Sequence, residues 1–156
     1  MTTDLDVVVR GDAVELDALL AALAAAKIVP RIADAVPFAQ KNLVLLLKHR
    51  PSKVEIDLSL AWSGFEHEAL AAATTAKLGR VRATFATADA LVVFKAIAGR
   101  PKDIEDAAAL LALHRDIDLA LVRQRVRRVA ELAEEEAINE NLESAVRRAR
   151  VNLPPR

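Results

Sequence analysis

The chain has 156 residues, of which 53% are hydrophobic and 28% are charged, a balance that excludes a disordered chain and fits one compact domain. Its 22 basic and 22 acidic residues cancel, which excludes an overall positive field for nucleic acids or membranes, so any basic site must be local. Cysteine is absent, which excludes a disulfide framework. No apolar run reaches about 18 residues, and the acidic start is unlike a secretory signal, so we expect a cytoplasmic protein without membrane contact.

The first half of the chain carries the signals of β-strands, namely alternating apolar and polar residues or short apolar runs. These signals predict strands over residues 4–10, 43–49, 53–61 and 81–85. Helical spacing predicts a helix that begins with Asp12 as its N-cap and ends near Ala26, and an alanine-rich stretch predicts another over 65–76. Two prolines in residues 28–42 allow at most a short helix there.

The second half of the chain reads as helices. They are predicted from Thr87 as N-cap to Gly99, from Pro101 to about Arg115, over 118–137 and over 141–150. Strands with intervening helices followed by a helical half predict an α/β or α+β fold with a small mixed sheet. We expect residues 1–86 to form the sheet core and residues 87–156 to form the helical C-terminal part of the same domain.

Three aspartates are candidates for a metal site. Asp4 and Asp6 alternate on the first strand, so their side chains leave the same face about 7 Å apart at the backbone. Asp57 has the same polar-face position on a later strand. If the two strands are neighbours, the three carboxylates converge, and their repulsion is costly unless a divalent cation such as Mg²⁺ or Mn²⁺ neutralises it. Such a triad suits two-metal phosphoryl transfer; the alternative is that the acids of a polar strand face are simply solvated.

Four segments of the chain carry a resemblance to a known family. TTDLDVVV, residues 2–9, resembles the Asp-x-Asp strand of the DNA polymerase beta-like nucleotidyltransferases, and VEIDLSL, residues 54–60, resembles the strand that bears their third acid. ADALVVFKAIAGRPKDIEDAAALL, residues 88–111, resembles the closing signature of their small bacterial branch related to AbiEii-type toxins. DIDLALVRQRV, residues 116–126, is similar to the helical tail of that branch. The segments occur in the order of the family, and with the long charged helix that follows the last one the resemblance extends over nearly the whole chain.

The resemblance implies an enzyme that transfers a nucleoside monophosphate from a nucleoside triphosphate to an RNA, such as the 3′ end of a tRNA, or to a protein hydroxyl. Asp4 and Asp6 would bind Mg²⁺ or Mn²⁺, and Asp57 would complete the metal site or deprotonate the acceptor. The resemblance also implies a toxin of a toxin–antitoxin system, with an antitoxin as partner.

The closing signature supplies cations and two more acids. By the resemblance, Lys95 contacts the nucleotide phosphates, and Arg100 and Lys102 add positive charge. Asp103 and Asp106 stand at acidic positions of the family, where we expect them to orient the lysine and arginine more than to bind metal. Triphosphate transfer needs cations opposite an acid-bound metal, and a glycine between the two helices lets both contribute. The alternative is a helical hairpin with surface ion pairs.

The chain departs from the family pattern at its beginning. The family places a Gly-Gly or Gly-Ser turn that opens a helix ahead of the first aspartate, where backbone amides help to hold phosphate. Only three residues precede Asp4 here, and the four glycines lie elsewhere. Either the start lies further upstream, or the chain is a reduced member that keeps the fold as a catalytically inactive interaction or regulatory module. A sheet without the preceding strand exposes an edge, which favours a homodimer or a partner there.

Two further groups have both a functional and a structural interpretation. Trp62 and Phe65 follow the strand of the third acid and could line a nucleobase pocket or fill the core. Seven arginines of the last two helices could bind RNA phosphates or pair with nearby glutamates. These arginines are at positions 123, 125, 127, 128, 147, 148 and 150.

Overall fold

The computed structural model describes residues 4–11 and 15–151, and the side chain of Val151 is excepted. Within these residues it contains six strands and seven helices, which confirms the mixed α+β fold class. The elements are β1 Asp4–Arg10, α1 Leu16–Ala25, β2 Ile28–Pro30, α2 Ala35–Asn42, β3 Val44–His49, β4 Glu55–Ala61, α3 Gly64–Ala72, β5 Thr74–Leu78, β6 Val81–Phe85, α4 Ala88–Ala98, α5 Pro101–Leu113, α6 Leu119–Ala133 and α7 Ala137–Val151.

The chain divides into two compact units, and the division falls between Leu70 and Ala71. The first unit holds a four-stranded sheet of order β1-β4-β3-β2, and the second holds the two-stranded sheet β5-β6 and helices α4 to α7. The division predicted at residue 86 lies after this hairpin, whereas the division in the structure lies before it. Among the described residues, no helix is both long and apolar enough to cross a membrane.

The sheet of the first unit is mixed. Strand β1 runs parallel to β4, and β3 runs antiparallel to both β4 and β2. One face of the sheet packs on a buried core made of Ala35, Ala39, Leu45, Leu47, Ile56, Leu58 and Leu60. Leucines of α1 and valines of β1 pack against this core. Because side chains alternate along a strand, burial of this face turns the remaining positions of β1, β3 and β4 to the other side.

The second unit buries small residues between its helices. Helix α4 contacts α5, α6 and α7, and α7 contacts α5 and α6. The buried residues are mostly alanine and valine, for example Val92 and Val93 of α4 and Val122 and Val126 of α6, all fully buried. Small side chains let helices approach closely, which explains how four helices enclose a core with few aromatics.

Capping residues define several of the helix ends. Ser63 and Glu66 form a capping box at the start of α3, since each side chain accepts a hydrogen bond from the backbone N–H of the other. Asp118 caps α6 by accepting from the N–H groups of the next turn. Thr87 stands at the N-cap of α4, but its side chain makes no capping hydrogen bond.

Several predicted elements need correction. The helix predicted over 65–76 ends at Ala72, and β5 follows, because the β-branched pair Thr74 and Thr75 favours a strand over the helix that alanine favours. The stretch 28–42 contains one short helix, α2, which the two prolines permit, and also the unpredicted strand β2.

The last two helices also differ from their predicted limits. The helix predicted over 118–137 ends at Ala133, where Glu134 takes a left-handed conformation with φ of 55°, and α7 begins four residues earlier than predicted, at Ala137. The predicted cap Asp12 lies outside the described residues.

Candidate functional site

The first candidate site is the acid face, which we define as Asp4 and Asp6 of β1 with Glu55 and Asp57 of β4. The parallel register places Asp6 beside Asp57 and Asp4 beside Glu55. Neighbouring strands lie about 4.8 Å apart, and register partners point to the same face. The two acid-bearing strands are therefore neighbours with their aspartates on one face, which is the condition for the three carboxylates to converge.

The core on the opposite side of the sheet fixes this orientation. Ile56, Leu58 and Leu60 are all at most 9% exposed, and they alternate with the acids of β4. A slip of the register by one residue would bury the carboxylates and expose the leucines, so the hydrophobic pattern holds the acids outward. The Asp57 and Glu55 side chains remain 45% and 47% exposed.

An arginine that sequence reasoning missed occupies the acid face. Arg31 follows β2, and its backbone N–H donates to the carbonyl of Leu46 on β3 at 2.8 Å. Its side chain passes across β3 to β4, where Nη1 donates to Glu55 Oε2 at 2.6 Å and Nη2 donates to Asp57 Oδ1. The Arg31 side chain is 24% exposed, and its Nε is buried without a partner among the described residues. Arg31 thus forms ion pairs with two of the four carboxylates.

Charges on this face do not cancel. Lys48 of β3 is the register partner of Glu55, so it stands on the same side of the sheet as Arg31. Arg10 of β1 shares the strand face of Asp4 and Asp6, so four carboxylates stand against three cations and one formal negative charge remains on this surface. The neighbouring carboxylates repel one another, and a divalent cation bound between them would offset this repulsion.

The donor chemistry of the acid face fits Mg²⁺ or Mn²⁺, because carboxylate oxygens are the ligands that these hard cations prefer. In the observed arrangement Asp57 is bound by Arg31. Within residues 4–11 and 15–151, no three Asp, Glu, His or Cys side chains are placed to hold one metal ion together. Asp4 or Asp6 could hold a metal at this face, and Asp57 could join them through Oδ2, the oxygen that Arg31 does not contact.

The second candidate site is the Asp103 cluster, which we define as Lys95, Arg100, Asp103 and Asp106. Asp103 is only 1% exposed. It accepts a hydrogen bond from Lys95 Nζ at 2.8 Å and from Arg100 Nε at 2.5 Å. Asp106 Oδ2 lies 3.1 Å from the same Lys95 Nζ. The acids thus contact both cations, as expected for groups that orient them.

Hydrogen bonds set the ionisation of this cluster. The hydrogen bond from Arg100 lowers the pKa of Asp103 to about 2; burial opposes this shift, and Lys95 adds to it. Burial acts to lower the pKa of Lys95, but its hydrogen bonds to Asp103 and Asp106 outweigh that effect, so the pKa is raised. Both shifts favour the charged forms, so Asp103 and Lys95 form an ion pair near neutral pH.

The turn between α4 and α5 makes this cluster possible. Gly99 ends α4 with φ of 65°, and a Cβ at this position would lie 2.5 Å from Asn141 Nδ2. Asn141 of α7 uses this nitrogen to donate to the carbonyl of Ala96 at 3.0 Å. Pro101 then opens α5, so Lys95 and Asp103 meet from two helices, as predicted. Lys102, the third predicted cation, is exposed.

The remaining candidates separate into core and surface. Phe65 is 6% exposed and belongs to the buried residues, whereas Trp62 is 55% exposed. Arg123 pairs with Glu143 of α7, and Arg125 pairs with Asp89 of α4. These two arginines therefore join helices, although their partners are not the nearby glutamates that the sequence suggests.

No protein-family model matches the chain, and no curated protein is similar enough in sequence to be counted as a relative. The likeness of residues 2–9, 54–60 and 88–111 to nucleotidyltransferases accordingly remains a resemblance. What the chain does is inferred from the acid face and the Asp103 cluster.

Proposed function

We propose that this chain is a metal-dependent nucleotidyltransferase that moves a nucleoside monophosphate from a nucleoside triphosphate to the 3′ end of an RNA or to a protein hydroxyl. A toxin of a toxin–antitoxin system, acting in the cytoplasm with an antitoxin as partner, is the cellular role that fits the resemblance. The observation that carries the proposal is the register of β1 and β4, which sets Asp6 beside Asp57.

The excess charge of the acid face supports the same proposal. Four carboxylates stand against three cations, Arg10, Arg31 and Lys48, so one negative charge remains on an accessible surface. Mg²⁺ or Mn²⁺ bound there would supply positive charge for the reacting phosphate oxygens. Asp4 and Asp6 would hold the ion, and Asp57 would accept the proton of the acceptor hydroxyl or complete the metal site.

Phosphate binding is the role proposed for the cations of the Asp103 cluster. A lysine ammonium has three N–H donors, and Lys95 uses two of them on Asp103 and Asp106. One donor remains for a phosphate oxygen, and the two acids hold the ammonium in a fixed position. Arg100, whose side chain is 75% exposed, and Lys102 add charge nearby.

Nucleotide transfer itself tests this function. The purified chain is incubated with Mg²⁺, each α-labelled nucleoside triphosphate, and either bulk RNA or the protein alone as acceptor. We expect incorporation of label by the wild type and a loss of at least about 100-fold in Asp6→Asn. The matched control Asp17→Asn removes another exposed carboxylate, from α1, and should keep full activity. Equal incorporation by Asp6→Asn and Asp17→Asn would refute the proposed role of the acid face.

A second candidate function is favoured by one observation, the pairing of Arg31 with Asp57 and Glu55. If this arginine permanently replaces the metal, the chain is a catalytically inactive interaction or regulatory module with the nucleotidyltransferase fold. This alternative predicts no heat of binding on calorimetric titration with Mg²⁺ and nucleoside triphosphates. A nucleotidyltransferase predicts a heat of binding in the wild type that disappears in Asp6→Asn.

A further inference from the structure

The hairpin of β5 and β6, residues 74–85, is the most exposed element of the second unit. Every residue of β5 is exposed, and so is every residue of β6 except Ala83. Among the strands of the described residues, these two pair only with each other. A two-stranded hairpin is marginally stable by itself in water, so an exposed one requires an explanation.

The hairpin has two chemically different faces. Cross-strand register places Leu78 opposite Val81 and Ala76 opposite Ala83 on one face, where Leu78 is 70% exposed and Val81 is 64% exposed. The other face carries only hydroxyl groups and positive charges. Its members are Thr75, Lys77, Arg82 and Thr84.

Charge on the second face is uncompensated. Lys77 and Arg82 are register partners, and like charges directly opposite each other destabilise a strand pair. Arg80 adds a third positive charge in the turn between the strands. Between Glu68 and Asp89 the sequence contains no acidic residue, although the chain as a whole is neutral. Three cations held together without acids on an exposed ribbon are complementary to a polyanion.

We propose that this hairpin is an RNA-binding arm for single-stranded RNA, with Lys77, Arg80 and Arg82 on the phosphates and the apolar face near Leu78 and Val81 against the bases. This inference rests on the proposed function, in which an RNA 3′ end is the acceptor. Unpaired nucleotides offer both phosphates and exposed base faces, and the deep groove of an RNA duplex does not admit side chains.

The position of Arg80 separates RNA from a membrane as the partner. Arg80 lies in the turn, the part of the hairpin that would enter a bilayer first, and a charged residue there opposes insertion. On a polyanionic strand the same residue contacts another phosphate. The hairpin therefore fits a nucleic-acid strand better than a lipid surface.

Fluorescence anisotropy with a labelled single-stranded RNA of about twelve nucleotides tests the arm. The test variant combines Lys77→Gln, Arg80→Gln and Arg82→Gln. The control variant removes the same charge from other exposed sites by Lys41→Gln, Arg50→Gln and Arg115→Gln. Each lost phosphate contact reduces the steepness of the plot of log affinity against log salt concentration by about 0.7. For the test variant this slope should therefore be smaller by about 2, and at low salt the variant should bind at least about tenfold more weakly than the wild type. The control should stay within about threefold of wild type.

Several results would overturn the inference. The first is an equal loss of RNA affinity in the test and control variants, and the second is no RNA binding by the wild type. The third is tighter binding of single-stranded DNA of the same sequence. The fourth is binding to phosphatidylserine vesicles that the test substitutions weaken while RNA affinity stays unchanged. Circular dichroism and urea unfolding check that both variants are folded. If the test variant keeps its RNA affinity while the wild type transfers nucleotide, the RNA-binding role of the hairpin is wrong and the proposed function stands. If RNA binds through the hairpin but no nucleotide is transferred, only the proposed function is wrong.

Discussion

The acid face and the Asp103 cluster are both groups of carboxylates and cations, yet they differ in burial and in charge balance. Asp103 is 1% exposed and contacts two cations, whereas the Asp57 side chain is 45% exposed and contacts one. In the cluster positive and negative charges cancel; on the acid face one negative charge remains. The buried, balanced group is suited to hold two helices and their cations in fixed positions, and the exposed, unbalanced group is suited to bind a cation from solution.

The difference shows why counting acids does not identify a site. A buried carboxylate must be paired, because an unpaired charge in the interior costs several kcal/mol, so Asp103 needs its partners whatever the protein does. An exposed carboxylate can remain unpaired at little cost. The sign of a cation site is therefore several like charges that the fold holds side by side, as on the acid face.

The largest expected effect is the loss of stability in Asp103→Asn. This change leaves Lys95 and Arg100 without their buried partner, and we expect the free energy of unfolding to fall by about 3 kcal/mol. Urea denaturation measures it. Asp106→Asn is the matched control, because Asp106 pairs with Lys95 through a side chain that is 43% exposed, and it should lose less than about 1 kcal/mol. Equal losses in the two variants would remove the contrast between buried and exposed acids.

A pH dependence of the same residue follows from its lowered pKa. The pKa of Asp103 falls from its ordinary value of 3.8 to about 2 in the folded chain. Its ionised form therefore stabilises the fold above about pH 4, and this contribution of about 2 kcal/mol is lost as the pH falls from about 4 toward 2. The gap in unfolding free energy between wild type and Asp103→Asn should shrink over this range. A gap that stays constant from about pH 4 down to about pH 2 would contradict the assignment.

Arg31→Gln separates competition for Asp57 from net charge on the acid face. Without the guanidinium, Asp57 and Glu55 become available, and Mn²⁺ should bind about tenfold more tightly, which corresponds to about 1.4 kcal/mol. Lys48→Gln removes the same charge from the same face, but from the register position beside Glu55, so its effect should stay below about threefold. Isothermal titration compares the two. If both variants gain equally, net charge and not competition for Asp57 controls the affinity.

Gly99→Ala has the smallest expected effect. A Cβ would strain the left-handed turn and displace the Asn141 amide from the end of α4, and we expect a loss of about 1 kcal/mol in stability. Gly64→Ala is the control, because a Cβ at that position would have no neighbouring atom within 4 Å, and it should be neutral. Thermal unfolding resolves the difference, and equal midpoints for the two variants would show that the Gly99 turn tolerates a side chain.

The sequence predicted those parts of the fold that repeat a local pattern. Alternation in residues 4–10 and 53–61 located β1 and β4, and the buried faces of these strands then oriented Asp6 and Asp57. The turn at Gly99 and Pro101 was also predictable, because each residue has a strong local preference.

Other parts depend on contacts between distant residues. Arg31 lies in a stretch with two prolines, and nothing local shows that β2 pairs with β3 and brings it to Asp57, 26 positions away. The sequence signal was the apolar pair Ile28 and Val29 before Pro30, which is compatible with a short edge strand. The hairpin strand β5 was missed because alanines next to it favour helix, while pairing with β6 decided its structure.

The proposed activity depends above all on the acid face, which we expect to bind a divalent cation through Asp6 and Asp57. The decisive experiment is calorimetric titration of Mn²⁺ into the wild type, Asp6→Asn, Asp57→Asn and the control Asp17→Asn. We predict a binding isotherm for the wild type and for Asp17→Asn, and at least about tenfold weaker binding in each of the other two variants. Identical isotherms for all four proteins, or no binding by the wild type, would contradict this expectation.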